Sequence, residues 1–562
     1  MKVLLAVSPN YSIFMLNEEI ANIRRGYSDF TKDVDWRICL PLGILYLAGT
    51  LREAGHEVHI YDLHKAFYEC RNSGYFQTHD LQDFFREQWG GTLKAIKPDV
   101  LGVGALFNVS STAVAEMSRW ARQIDPAITV VLGGHYPSNQ YKKMLGKQMM
   151  CDYAVLGEAE DSFRWLLEHL RDADIKDLVK KHPHVVDQHS YMEPLKTKAI
   201  IHDLDKLATP AYDLLPGMDA YLEESLHSQR MGSHLFAKTR AAGIVSSRGC
   251  PLMCTFCAAH ATHGRQYRMH SVDYMMDHID WLVEKYDVNQ ILIEDDMFNL
   301  KKERTIDFCQ RLVKKYPGRF SLEFPNGLGA WFLDDDVVGN LKLAGLRSIT
   351  FAVESGSQYI QKHVLKKNLN LNIVKEKVQI LRKHGINVRA FFIVGFIGET
   401  LAQMEETVQF ALNLDADWCE IKVLTPLAGS EMFDLAVKNS YMSGETDEHV
   451  YGRSCLSTPE FTAEQVKDVQ YDANIRVNFL NNRQLREKNY VEAERTFRKL
   501  LKSFPHHIFS QWGLWQALKG QNKHDEAQEA LRRLAQLAQS DEQNQKWLKR
   551  YGIEWSECSV GV

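Results

Sequence analysis

Apolar and polar residues alternate in blocks along the first 165 positions. Short apolar runs stand at 3–7, 58–61, 100–106, 129–132 and 153–156. Between them, as at 42–54 and 113–123, apolar residues return every three or four positions. Short runs bounded by turn residues predict strands, and the 3.6-residue rhythm predicts helices. Strands spaced by helices predict a parallel, doubly wound sheet, because a parallel crossover needs a helix-length connection. Such sheets bind ligands at the carboxyl ends of their strands. The chain carries Ser8-Pro9-Asn10, the stretch 107–112 with Ser110 and Ser111, Gly133-Gly134-His135 and Gly157-Glu158 at those ends. The rhythm breaks over 166–240, which reads as a linker. It resumes over 241–435, with strands predicted at 242–247, 290–294, 320–324, 348–353, 388–394 and 419–424. Helices are predicted at 272–286, 302–315, 334–344, 372–384 and 401–413. Six strands with helical crossovers predict a partial (β/α)6 barrel, with chemistry at its C-terminal mouth.

The pattern over 436–562 is helical only. Tyr490-Val491-Glu492-Ala493 with Phe497 returns as His524-Asp525-Glu526-Ala527 with Leu531, and Ala493 and Ala527 are 34 residues apart. That is the period of tetratricopeptide (TPR) repeats. Two copies fall short of a self-standing array. They predict a helical cap docked on the barrel, with helix 462–481 helping to bury it.

At 562 residues the chain exceeds one ordinary domain. Its 45% apolar and 25% charged content predicts globular domains with true cores. A net charge of −5 provides no basic field for nucleic acid. No apolar run approaches the roughly 18 residues of a membrane span. The start at 3–7 is too short for a signal peptide and reads as a first strand. Seven of the ten cysteines (Cys39, Cys70, Cys151, Cys309, Cys419, Cys455, Cys558) are scattered as small buried hydrophobes would be, which predicts a reducing cytoplasm.

The other three are not scattered. Arg248-Gly249-Cys250-Pro251-Leu252-Met253-Cys254-Thr255-Phe256-Cys257 follows the first predicted barrel strand. A tight loop there can turn three thiolates toward one point. Three thiolates suit an iron–sulfur cluster, whose usual complement of four leaves one iron open here. The alternative is zinc, with His260 or His263 as fourth ligand.

The C-x-x-x-C-x-aromatic-C motif is followed, in order, by Ile293-Glu294-Asp295-Asp296, Pro325-Asn326-Gly327, Glu354-Ser355-Gly356, Gly395-Phe396-Ile397-Gly398-Glu399-Thr400 and Thr425-Pro426-Leu427. Together with Gly157-Glu158-Ala159-Glu160, these resemble the cobalamin-binding radical S-adenosylmethionine (SAM) enzymes, class B methyltransferases among them, over about residues 1–435. Ile397 stands where proline is usual. The resemblance implies a Rossmann-like cobalamin-binding domain (1–165), a linker (166–240), a radical SAM partial barrel (241–435) and a C-terminal helical TPR-like domain (436–562). It implies a [4Fe–4S] cluster on Cys250, Cys254 and Cys257, with SAM on the open iron and against Glu354, Asn326, Gly395 and Gly398. Cobalamin would lie on Ser8, Asn10, Ser110, Ser111, Gly133, Gly134, Gly157 and Glu158. One departure bears on the cobalt. Relatives with a histidine below the metal carry D-x-H-x-x-G after the first strand, where this chain has Ser8-Pro9-Asn10. Asp62-Leu63-His64 follows the second strand and lacks the glycine, so His64 is set aside as an exposed loop residue.

The implied reaction is methylation of an unactivated carbon or phosphorus centre, through a 5′-deoxyadenosyl radical and methylcobalamin. The alternative keeps both cofactors but moves no methyl group, as in the anaerobic magnesium-protoporphyrin ester cyclase or rearranging enzymes. The implied partners are a small-molecule or natural-product substrate and an external flavodoxin- or ferredoxin-type donor. A protein contact through the TPR-like repeat is a further expectation. Asp295 and Asp296 are read as caps, and no acid, base or nucleophile is singled out.

Overall fold

The computed structural model describes residues 1–25, 38–146, 150–193, 196–223, 239–443, 455–553 and 555. Cys558 and residues 224–238 of the expected linker lie outside the described residues. Six strands form the first sheet: β1 (Lys2–Val7), β2 (Glu57–Asp62), β3 (Val100–Gly104), β4 (Thr129–Gly133), β5 (Tyr153–Val155) and β6 (Val185–Asp187). Their order is β2-β1-β3-β4-β5-β6. All neighbours pair in parallel except β5 with β6. β6 has no counterpart in the expected strands. It extends the sheet beyond residue 165, as an antiparallel edge that needs no helical crossover. Gly102 in β3 lets helix Ala159–His169 lie close, since a Cβ there would stand 2.9 Å from the Phe163 ring.

The barrel strands are β7 (Ala241–Ile244), β10 (Gln290–Ile293), β11 (Ser321–Glu323), β12 (Ser348–Glu354), β13 (Asn387–Val394) and β14 (Trp418–Val423). A short antiparallel ribbon, β8 (Ser247–Arg248) with β9 (Arg268–Met269), lies between β7 and β10. β7, β10 and β11 form one parallel sheet and β12, β13 and β14 another. The parallel bridge Leu322↔Leu346 links the two sheets, so six strands run side by side around an open barrel. The alternating burial of β13 is that of a strand with one face in the barrel core.

β14 ends the row, and its outer edge is covered by a helix. Helix Ala463–Ile475, continued by a π-type turn at Arg476–Leu480, presents Gln470, Asn474 and Asn478 at four-residue spacing. Asn478 accepts from Cys419 N (2.8 Å) and donates to Cys419 O (2.6 Å). Asn474 Nδ2 and Gln470 Nε2 both donate to Ile421 O (2.8 and 3.1 Å). Side-chain amides thus replace a neighbouring strand and close an edge that would otherwise stay unpaired. Helices Tyr490–Ser503, Ile508–Gly520 and His524–Ser540 stack beyond it. Ala493 and Ala527 are both buried there. Phe497 packs onto Gly513, where a Cβ would meet its ring at 2.4 Å.

One continuous apolar core runs from the first sheet (Val3, Leu5, Val131) through Tyr212 and Tyr221 into the barrel (Ala242, Ile291, Phe351). Residues 204–223 therefore act as a wedge rather than a free tether. Tyr212 lies against His278, and Tyr221 Oη donates to Asp62 (2.7 Å). Of the scattered cysteines that are described, five are buried, while Cys39 is exposed against expectation. Among the described residues no helix is long and apolar enough to cross a membrane.

Candidate active site

The cysteine loop leaves β8 at Gly249 and returns at β9. Gly249 has φ +83, and a Cβ there would stand 2.3 Å from Gln266 O, so only glycine lets the ribbon close this tightly. Thr255, between Cys254 and Phe256, anchors the loop. Its N–H donates to Leu365 O (3.0 Å), its hydroxyl to Val364 O (2.8 Å), and its carbonyl accepts from Met432 N (3.0 Å). Phe256 packs against Phe396 from the turn after β13, with ring centroids 5.8 Å apart. Burial pushes the Cys254 thiol up to about 12 and that of Cys257 to about 11. Loading iron on these sulfurs must therefore displace protons.

Glu354 ends β12 at φ +71, where the β12–β13 register shifts. A non-glycine residue held in this region stores strain that surrounding contacts must hold. Lys367 supplies one such contact, its ammonium 3.1 Å from Glu354 Oε1 and also bonded to Ala352 O. Gln361 Nε2 donates to Val353 O (2.6 Å) and Ser355 O (2.7 Å). The charges of Glu354 and Lys367 bear on the Cys254 thiol, so this strand end and the cysteine loop share one mouth. Asp296 bears on Cys250 and Cys257 in the same way. Asp295 is a structural clasp, as expected: it accepts from Ser246 N, Ser246 Oγ and Ser247 Oγ, each at 2.6 Å.

Asn326 donates to Glu294 O (2.9 Å), which ties the turn after β11 to β10. Gly395 (φ +86) and Gly398 (φ +87) shape the turn after β13. A Cβ at Gly398 would meet nothing within 4 Å, whereas one at Gly395 would strike Val466 at 2.8 Å. Gly398 borders open space at the mouth, and Gly395 accommodates the C-terminal helix.

At the first sheet, Ser110 and Ser111 are buried with hydroxyls that have no partner among the described residues. At Gly133 a Cβ would find nothing nearer than 4.0 Å. Leu106 and Phe107 stand exposed at the end of β3. Orphaned hydroxyls, an open glycine edge and exposed apolar side chains fit a large, flat, partly polar ligand such as a corrin. Ser8 is engaged locally, its hydroxyl donating to Gly104 O (3.0 Å). Asn10 is half-buried just beyond β1. A Cβ at Gly134 (φ +99) would stand 2.7 Å from Ala105 O, and one at Gly157 (φ +83) 2.5 Å from Ala199 O, so both serve close backbone packing. His64 is no exposed loop residue. It is buried in helix Leu63–Asn72, against Tyr11 with ring centroids 5.5 Å apart.

Glu158 differs most from expectation. Both carboxylate oxygens are already engaged across the domain boundary. Arg268 donates to Oε2 (2.7 Å) and Oε1 (2.8 Å), Ile201 N donates to Oε2 (2.6 Å), and His263 Nδ1 lies 2.9 Å from Oε1. Arg248 approaches Oε2 at 3.6 Å and donates to Glu160 (2.7 Å). Although burial pushes the Glu158 carboxyl up, the bonds from His263 and Arg268 and the Arg248 charge hold it down at about 2. Its carboxylate ties the first sheet to the β8–β9 ribbon. Arg268, Glu160 and Lys367 were not among the expected site residues, since a charged side chain's partner lies far away in sequence. Arg248 stood beside the cysteine motif and Glu160 in the turn 157–160, and these were the available signals.

Cys250, Cys254 and Cys257 are all free of disulfides on one short loop, a donor set that suits a cluster with one open iron. Fold and site thus define a two-module cofactor enzyme, a parallel-sheet cradle joined to a partial barrel with a three-thiolate mouth.

Comparison with known proteins agrees. The radical SAM superfamily matches residues 244–411, and the B12 binding domain matches residues 37–167. An uncharacterized methyltransferase of Pyrococcus horikoshii is 26% identical over 72% of this chain and 79% of its own length. Cytidylyl-2-hydroxyethylphosphonate methyltransferase of Streptomyces wedmorensis is 24% identical over 73% and 80%. The anaerobic magnesium-protoporphyrin IX monomethyl ester cyclase of Rubrivivax gelatinosus is 26% identical over 70% and 65%. The cobalamin-dependent SAM radical enzyme OxsB, solved with aqua-cobalamin and SAM, superposes with a TM-score of 0.60 at 14% identity, covering 99% of this chain and 81% of that one. That likeness is one of fold, and it runs through the helical C-terminal region. The chain belongs to the cobalamin-binding radical SAM enzymes, with a [4Fe–4S] cluster, SAM and cobalamin as its cofactors.

Proposed function

We propose that the protein is a methyltransferase acting on an unactivated carbon or phosphorus centre of a small molecule. One observation carries this reading: the turn 157–160 of the first sheet meets the ribbon that bears the cysteine loop. These contacts tie the strand ends of the first sheet to the cysteine loop, and two reactive groups must reach one substrate for transfer to occur. When bound, the cluster with SAM supplies a hydrogen-abstracting radical and the corrin supplies the methyl group.

Cys250, Cys254 and Cys257 hold the cluster. Glu354, fixed by Lys367, accepts hydrogen bonds from the SAM amino or ribose groups. Ser110 and Ser111 offer hydroxyls to the corrin. Phe256 against Phe396 helps to keep water from the mouth. A flavodoxin- or ferredoxin-type protein supplies the electron. The C-terminal helices close the barrel edge, and recruitment of a protein partner is their secondary role.

The likeness to the ester cyclase favours a second reading, in which both cofactors act without methyl transfer. Anaerobically reconstituted protein, given cobalamin, SAM and a strong reductant, is expected to form both 5′-deoxyadenosine and S-adenosylhomocysteine. If a corrin is bound and 5′-deoxyadenosine forms alone, methyl transfer is excluded and the cyclase-like reading stands. Glu354→Gln should weaken SAM binding about tenfold, as expected for one charge-assisted hydrogen bond, with cluster absorbance unchanged.

A further inference from the structure

Arg248 and Arg268 face each other across the β8–β9 ribbon as a register pair. Two guanidinium groups directly opposite repel, and both are buried. They are held together by Glu158 and Glu160, which are likewise buried and come from the carboxyl end of the first sheet. Arg268 takes Glu158 in a bidentate grip, and Arg248 takes Glu160. Each arginine has a second anchor. Arg268 bonds the carbonyls of Ile201 and His263 (2.7 Å to the latter), and the Arg248 guanidinium lies 5.4 Å above the Tyr46 ring. His263, in the short helix that follows the cysteines, completes the cluster on Glu158.

The ribbon brackets the loop that carries Cys250, Cys254 and Cys257. Glu158 follows Gly157 at the edge expected to hold the corrin. A buried, bidentate arginine–carboxylate pair fixes angle as well as distance. A purely apolar contact between the same elements is non-directional and sets the angle less sharply.

We propose that Glu158, Glu160, Arg248 and Arg268 are positioning residues that set the distance and orientation between the iron–sulfur cluster and the corrin. This rests on the assignment of both cofactors above. Their task is geometric: neither cofactor is ligated by them, and loosening them leaves both bound but no longer in one arrangement.

The test uses the full chain loaded with cob(II)alamin and a reduced [4Fe–4S] cluster, each carrying one unpaired electron. Pulsed electron paramagnetic resonance reads the dipolar coupling between them. The wild type is expected to give a single narrow distance. Glu158→Gln and Arg268→Lys, with unchanged iron content and corrin absorbance, are expected to broaden it or split it into two populations. They should also raise the ratio of 5′-deoxyadenosine to S-adenosylhomocysteine severalfold. A distance distribution in both variants identical to wild type would overturn the proposal. A wild type that binds no corrin or no cluster would instead overturn the cofactor assignment. Should Glu158→Gln prove insoluble, Glu160→Gln, which breaks only the outer pair, carries the same test with the same two outcomes.

Discussion

Glu399 lies fully buried in the turn after β13, where its Oε2 accepts N–H bonds from Gly395 (2.8 Å) and Phe396 (3.0 Å). Its other oxygen has no partner among the described residues. Burial raises this carboxyl from 4.5 to about 8, against the two backbone bonds that favour the charged form. The folded state therefore holds a proton that the unfolded chain has released between those values. Its stabilising contribution is fully present below about pH 4.5 and is lost as pH rises through about 8. Glu399→Gln keeps an acceptor for both N–H groups and removes the charge. Urea midpoints at pH 5.5 and 8.5 should differ less in this variant than in the wild type; an equal pH slope in both would show that Glu399 ionises freely in the fold. Glu158 shows the same rule from the other side, a buried carboxylate made tolerable by Arg268 and Arg248.

At the scale of elements, the barrel has an open side, and the chain closes it with a helix. The contact of Asn478 with Cys419 serves a donor and an acceptor of β14 at once, and both residues are buried. Asn478→Ala leaves both backbone groups without a partner in a place water does not reach. A cost of roughly 1–3 kcal/mol is expected from unsatisfied buried groups, read as a lowered denaturation midpoint. No loss of stability would show that β14 finds another partner. The repeat of Ala493 and Ala527 was legible in sequence because small residues recur where helices touch. The amide ladder was not, since Gln470, Asn474 and Asn478 look like any polar helix face until the strand they serve is known.

At the scale of the molecule, the C-terminal helices share their core with the barrel edge. Phe479 sits between Trp418 of β14 and Phe497 of the repeat, with ring centroids 5.7 and 6.1 Å away. Removing residues 485–562 uncovers this aromatic layer and should give aggregated protein by size-exclusion chromatography. A soluble, active truncated enzyme would show that the tail is an appended recruiting module. The first sheet is bound to the barrel as firmly, through the shared apolar core and the arginine–glutamate cluster.

The chain alone specified its periodicities. Strands and helices follow from local patterning, so their positions could be read with small shifts at the ends, β6 and the β8–β9 ribbon excepted. The three cysteines were legible for the same reason, because a cluster loop is one short, contiguous stretch whose spacing carries its chemistry. The tertiary structure decided which charges meet. Glu158 is 110 residues from Arg268, and it could be read as a ligand contact until the fold brought them to 2.7 Å. Long-range pairing of buried ions depends on where whole elements pack, and no local pattern encodes that.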